Sequence, residues 1–204
     1  MGLYGFNLAD MLLRLPAVLW ALSFHEFCHG WAAFKLGDRT AASQGRLSLN
    51  PLDHLDPVGT IMLIFFRFGW AKPVPINSRF FKNPRRDIAL VSLAGAGGNF
   101  LTVLVCGVLI RLFPQLLSSG PVGTLTQHFL YTNIGLGVFN LIPIPPLDGS
   151  KVLAMFLPLS AMRAFFFLER YGMIIILVLV YLGVIQAIMY PISMFLLNIL
   201  LFQF

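Results

Sequence analysis

The stretch "LWALSFHEFCHGWAAF", residues 19–34, sets two histidines and a glutamate inside an otherwise apolar run. Ionisable groups are costly in a hydrophobic segment of membrane length, so residues of this kind mark a functional site by default. Between Arg14 and Lys35 the only formally charged residue is Glu26. His25 and His29 are four apart and stack on one face of a helix, where two imidazole nitrogens can converge on one metal ion. Glu26, one position on from His25, can reach a water at that metal without being a ligand. This is the H-E-x-x-H arrangement, whose glutamate serves as general base. The competing explanation is that each histidine merely bonds a neighbouring helix. Three costly groups occurring together weigh against it.

Working outward, the chain of 204 residues is 58% hydrophobic and only 11% charged, which places it among membrane proteins rather than soluble domains. Nine of its 14 Lys/Arg lie between Lys35 and Arg86, within a Pro-rich connection. That clustering fits a cytoplasmic loop under the positive-inside rule and excludes a nucleic-acid stripe along one helix face. The two cysteines, Cys28 and Cys106, sit in apolar runs and imply no disulfide framework. No cationic region precedes the first apolar run and no small-residue cleavage site follows it, so that run is expected to stay in the mature protein.

Four segments are long enough to cross a bilayer, which takes roughly 20 helical residues: residues 8–36, 88–113, 125–141 with a broken continuation to 159, and 172–190. The predicted fold is therefore an all-α polytopic membrane protein, about four transmembrane helices in one domain, residues 1–204. Lys/Arg in the first connection, none in "PQLLSSGPVGT", and Arg163 and Arg170 in the third put the first and third connections in the cytoplasm and both termini outside. The tail after Pro191 is short for a span and is expected to pack on the last helix or lie in the interface. Between the first two spans, residues 57–68 are apolar but too short to cross. Residues 69–77, "GWAKPVPIN", are kept out of a helix by Gly69, Pro73 and Pro75. Alternation of Trp70, Lys72, Val74 and Ile76 suits an extended or β edge segment, and a loop dipping into the membrane is the expected arrangement.

A catalytic zinc usually has three protein ligands and one open position. Candidates for the third are Cys28, His54, His128, Asp53, Asp56 and Asp148. Asp148 lies in "NLIPIPPLDGS", residues 140–150, where three prolines break the third span and free a carboxylate at membrane depth. It is the preferred ligand. Cys28 suits a small buried apolar role, and Asp53, His54 and Asp56 suit capping of the loop before Pro57.

With "HEFCHG" and "NLIPIPPLDG" both in view, the chain resembles the site-2 protease family of intramembrane zinc metalloproteases. "NPLDHLDPVGT" and "FGWAKPVPIN" stand between them at the expected places. The resemblance runs from His25 to Gly149. It implies one Zn²⁺ held by His25, His29 and Asp148, Glu26 as catalytic base, and Asn140 toward the substrate backbone or oxyanion. It also implies a transmembrane protein as substrate, a multi-pass location in the bilayer of a prokaryotic plasma membrane, and an active site toward the cytoplasm. "LAGAGGNF" has Ala96 where the family often has proline. With no PDZ or regulatory domain recognised, substrate choice falls to the core, a second copy of it, or a regulatory membrane partner. A transmembrane helix hides its carbonyls in its own hydrogen bonds and must unwind before cleavage. Trp70, Ala71, Lys72 and Val74 are expected to pair with the unwound strand. His29 lies six residues before Lys35, about 9 Å of helical rise, so cleavage is expected in the cytoplasmic half of the substrate segment. The rival class is a zinc transporter or metal-binding scaffold, which would spread acidic and histidine residues over several spans and needs no glutamate between the ligands.

Overall fold

The computed structural model describes residues 8–57, 59, 71–117 and 119–200. Among these the regular structure is helical: α1 (Leu8–Lys35), α2 (Thr40–Ser43), α3 (Pro84–Leu112), α4 (Pro114–Leu117), α5 (Gly120–Asn140), α6 (Asp148–Phe156), α7 (Leu159–Tyr181) and α8 (Val184–Leu200). The bounds follow local chemistry. At the end of α1 the Asp38 N–H reaches back to the Ala33 carbonyl across Gly37, whose φ of 111° suits a residue without a Cβ. Helix α3 opens with Pro84 at its first position, where the missing N–H costs nothing, and Asp87 in its first turn accepts from the Asn83 N–H at 3.0 Å.

Helices α1, α3 and α5 pack against one another, and α6 lies on α3. Small residues allow the close approach. Ala17, Ala21, Ala33 and Ala96 are buried, and Cβ atoms added at Gly98 and Gly137 would strike the Cys28 sulfur and the Phe100 ring. Val103, Leu130, Ile134, Val138 and Leu197 form one core cluster where α3, α5 and α8 meet. Ile142, Leu147, Ile176 and Ile185 form another beneath the proline-rich break. Gly172 on α7 passes so close to that break that a Cβ there would collide with the Pro145 carbonyl.

Among the described residues two helices are long and apolar enough to cross a membrane, α3 and α7. Leu101, Phe166, Phe167, Ile174 and Phe195 are each half or more exposed, apolar surface that suits contact with lipid. The expected spans at α1 and α5 exist as long helices. Their hydropathy is lowered by His25, Glu26 and His29 in one and by Gln127, His128 and Asn133 in the other. The expected fourth span, 172–190, is differently bounded. Helix α7 begins earlier, at Leu159, and ends at Tyr181, because Gly183 at φ 74° turns the chain and closes the helix with a bond from its N–H to the Val180 carbonyl. Pro191 does not end a helix, since α8 runs through it. The tail packs through Leu197 on the α3 and α5 cluster, and α8 also contacts α7.

Of the expected membrane-dipping loop, most of 57–68 and Trp70 lie outside the described residues. Residues 71–77 form a strap without a strand among the described residues, joined to the loop before it by an isolated bridge between Leu55 and Ala71. Five polar contacts hold the strap down. The Lys72 N–H donates to the His54 carbonyl at 2.8 Å, and Arg46 donates to the carbonyls of Lys72 and Pro73 at 3.0 and 3.3 Å. The Val74 N–H donates to Glu26 and the Asn77 N–H to buried Asp38.

Candidate metal centre

His25 and His29 lie one turn apart on α1, and Asp148 is the first residue of α6, delivered to them by the break after α5. The break has a physical logic. After Asn140 the three prolines cannot continue a helical ladder. The chain crosses itself so tightly that a Cβ on Gly149 would collide with the Leu141 carbonyl oxygen and sit 2.8 Å from that of Ile142. Glycine after the aspartate is therefore required for α6 to start where Asp148 faces α1.

The Nε2 atoms of His25 and His29 are 2.9 Å apart, and Asp148 Oδ2 lies 3.1 Å from the first and 3.0 Å from the second. All three side chains are buried. The triangle is close to one face of a tetrahedron with bonds of about 2 Å, whose edges are roughly 3.3 Å. Both outward nitrogens are committed elsewhere. His25 Nδ1 donates to Asn99 Oδ1 at 2.8 Å and His29 Nδ1 to the Val91 carbonyl at 2.7 Å. With the ring protons placed there, each neutral imidazole turns a lone pair on Nε2 toward Asp148. Three acceptors aimed at one point repel each other unless a cation completes them. Gly95 of α3 leaves the space: a Cβ there would sit 2.5 Å from His29 Nε2 and 2.7 Å from His25 Cε1. The donor set and this cradle fit a zinc ion.

Glu26 stays outside the ligand triangle but lines the same cavity of about 450 Å³, together with Val74, Ser92, Asn140 and Lys151. Its Oε2 accepts the Val74 N–H at 2.8 Å. Pro73 and Pro75 have no N–H, so Val74 supplies the only donor in that tripeptide. Asn140 donates to the Leu136 carbonyl at 3.1 Å, one turn back on its own helix, while its side chain borders the cavity. Ala71 and Lys72 belong to the strap but do not line the cavity, and Trp70 falls outside the described residues.

The other candidate ligands are placed elsewhere. Cys28 packs against Gly98, His54 donates from Nε2 to the Ser48 carbonyl at 2.8 Å, and Asp56 accepts the Gly59 N–H at 2.7 Å as a loop cap. Among the described residues, His25, His29 and Asp148 form the group of three that could hold a metal. Sequence reasoning did not place Lys151, whose ammonium is 3.1 Å from Asp148 Oδ1 and holds the oxygen that faces away from the histidines. It also passed over Asn133 and left Asn99 without a role. The signal available was the one used for α1, a fully buried polar residue within an apolar helix.

An all-helical scaffold that brings two histidines of one helix and an aspartate of another to a single point, with a glutamate beside them, defines a metal-dependent hydrolase site. The model of peptidase family M50 matches residues 106–185, which include Asn140 and Asp148. "Putative zinc metalloprotease YwhC" of Bacillus subtilis is 41% identical over 166 residues, 78% of this chain and 75% of that protein. "Putative zinc metalloprotease Rip2" of Mycolicibacterium smegmatis is 31% identical over 175 residues, 82% of this chain and 66% of that one. The protein of the same name in Mycobacterium tuberculosis is 32% identical over 166 residues, covering 62% of its length. Comparison with solved structures gives no match. The chain belongs to peptidase family M50, the site-2 protease family, and is a zinc metallopeptidase. Family membership and the two apolar helices mark it as a membrane protein.

Proposed function

We propose that the protein hydrolyses a peptide bond within or near the transmembrane segment of a membrane protein, on the cytoplasmic side of the bilayer. The observation that carries this reading is the convergence of His25, His29 and Asp148 on one buried point beside Glu26. Zinc held by those three residues would polarise the scissile carbonyl and acidify water toward neutrality. Glu26 accepts the proton of the attacking water and returns one to the leaving amine. Asn140, with one amide hydrogen on Leu136, has a second to offer a developing oxyanion. In this reading α1 and α5 cross the bilayer beside the two apolar helices α3 and α7, with α8 packed against them in a single domain, and the chemistry takes place at membrane depth. The cluster of Lys/Arg between Lys35 and Arg86 supports a cytoplasmic strap side. A transport pathway is less well supported, because the ligating residues gather at one point rather than along several helices. In vesicles, the protein is expected to cut a single-span substrate in the cytoplasmic half of its segment and to stop when zinc is chelated. A product terminus mapped by mass spectrometry to the outer half, or cleavage indifferent to chelation, would count against it.

The strap is also proposed to receive the unwound substrate. Its backbone is largely committed, with Lys72, Val74 and Asn77 donating inward and Arg46 on two carbonyls, so substrate pairing must exchange some of these bonds. Ala71→Pro, at the isolated bridge, is expected to slow cleavage about tenfold with zinc content unchanged, on the order of one or two lost hydrogen bonds. Unaltered cleavage by that variant removes the strap from substrate binding.

A further inference from the structure

We propose that Asn133 is a positioning residue for the metal centre, acting through Asn99 to fix the ring proton of His25. Asn133 is fully buried on α5 and is not itself among the clustered ligands. Its amide orientation is decided by a group that can only accept: Nδ2 donates to the Phe129 carbonyl at 2.8 Å. That turns Oδ1 toward α3, where it receives Asn99 Nδ2 at 3.0 Å. Asn99 Nδ2 also donates to the Ala21 carbonyl at 3.0 Å, so both amide hydrogens of Asn99 are used. Its Oδ1 is then the atom facing His25 Nδ1, at 2.8 Å. An oxygen acceptor there requires the proton on Nδ1 and a lone pair on Nε2, the atom that meets His29 and Asp148.

The relay crosses three helices, from a backbone carbonyl of α5 through two buried amides to a ligand on α1. If the Asn133 acceptor is removed, one Asn99 N–H is left buried and unpaired, a penalty of about 1–3 kcal/mol. Only the Ala21 carbonyl then still holds Asn99 in place, so the amide is less firmly fixed and can turn its NH₂ toward His25 Nδ1 at the loss of that one bond. The imidazole would then have to accept at Nδ1 and carry its proton on Nε2, where it blocks the metal. Outer partners of this kind change metal affinity by about 10–100-fold.

The inference rests on the metal-site reading, and one experiment separates the two. Zinc affinity is measured on the detergent-solubilised full chain by competition with a fluorescent chelator, alongside thermal unfolding. Asn133→Leu matches the shape without the acceptor, whereas Asn133→Asp keeps an oxygen toward Asn99. A role confined to packing makes leucine benign and a buried carboxyl the worse change. The relay makes the opposite order: zinc bound about tenfold more weakly by the leucine variant, within about threefold of wild type by the aspartate variant, whatever their unfolding temperatures. Wild-type affinity in Asn133→Leu, or affinities that follow stability, would overturn the proposal. The ligand set itself is tested by Asp148→Ala, and wild-type zinc binding by that variant would overturn the metal site.

Discussion

Glu26→Gln is expected to bind zinc like the wild type and to cleave a membrane substrate slower by at least 10²–10⁴-fold, the range for removal of a general acid–base group. Zinc should be retained because Glu26 lies outside the His25, His29 and Asp148 triangle. The fold should be retained because glutamine keeps a carbonyl oxygen that can accept the Val74 N–H, the contact that Oε2 makes at 2.8 Å. What glutamine cannot do is take a proton from water or return one to the leaving amine. The comparison therefore isolates proton transfer from both metal binding and strap docking. Activity within tenfold of wild type, measured by product formation in vesicles, would remove Glu26 from the chemistry. A wild type that cleaves nothing but moves zinc across the vesicle membrane would favour the transport class instead.

The site was largely legible in sequence because its cost was legible. His25, Glu26 and His29 stand out wherever apolar residues surround them, and Asp148 stands out because prolines free the chain beside it. The end of α1 was legible to within a residue, at Lys35, whereas α3 opens at Pro84, four residues before the expected span. The boundary between α7 and α8 was not legible, because Gly183 and Pro191 offer competing breaks and only tertiary packing decides. Leu197 is drawn into the α3 and α5 cluster, so the chain turns at the glycine and continues through the proline. The strap was read as an extended or β edge, of which the described residues show the isolated bridge at Ala71 and no strand, and its partners were invisible. Arg46, Asp38 and Glu26 reach it from 26 to 48 residues away, and no periodicity reports such a distance. Asn99, Asn133 and Lys151 were missed for the same reason. A buried amide announces that it has partners, not which ones.

Glycine content is the last feature whose meaning came from the fold, and it supplies the second large effect. Alanine is favoured over glycine by about 1 kcal/mol in a helix interior, so on local grounds both Gly95→Ala and Gly97→Ala should stabilise α3. At Gly97 nothing lies within 4 Å of an added Cβ, and that variant is expected to keep zinc affinity and to be as stable as wild type or more so. At Gly95 the same methyl would meet the Cε1 and Nε2 atoms of His29 and, at 2.7 Å, Cε1 of His25. Neither ring can yield freely, because His29 is tied to Val91 of the same helix and His25 to Asn99. Relief must come from rotating an imidazole off the metal or from prising α1 away from α3. Either way a ligand is displaced, so zinc affinity should fall by at least 10²-fold, beyond the effect of losing an outer partner, and cleavage with it. The pair of variants, two residues apart on one helix, separates helix propensity from the cradle. Equal zinc affinities by chelator competition would show that the methyl is accommodated and that Gly95 does not shape the metal site.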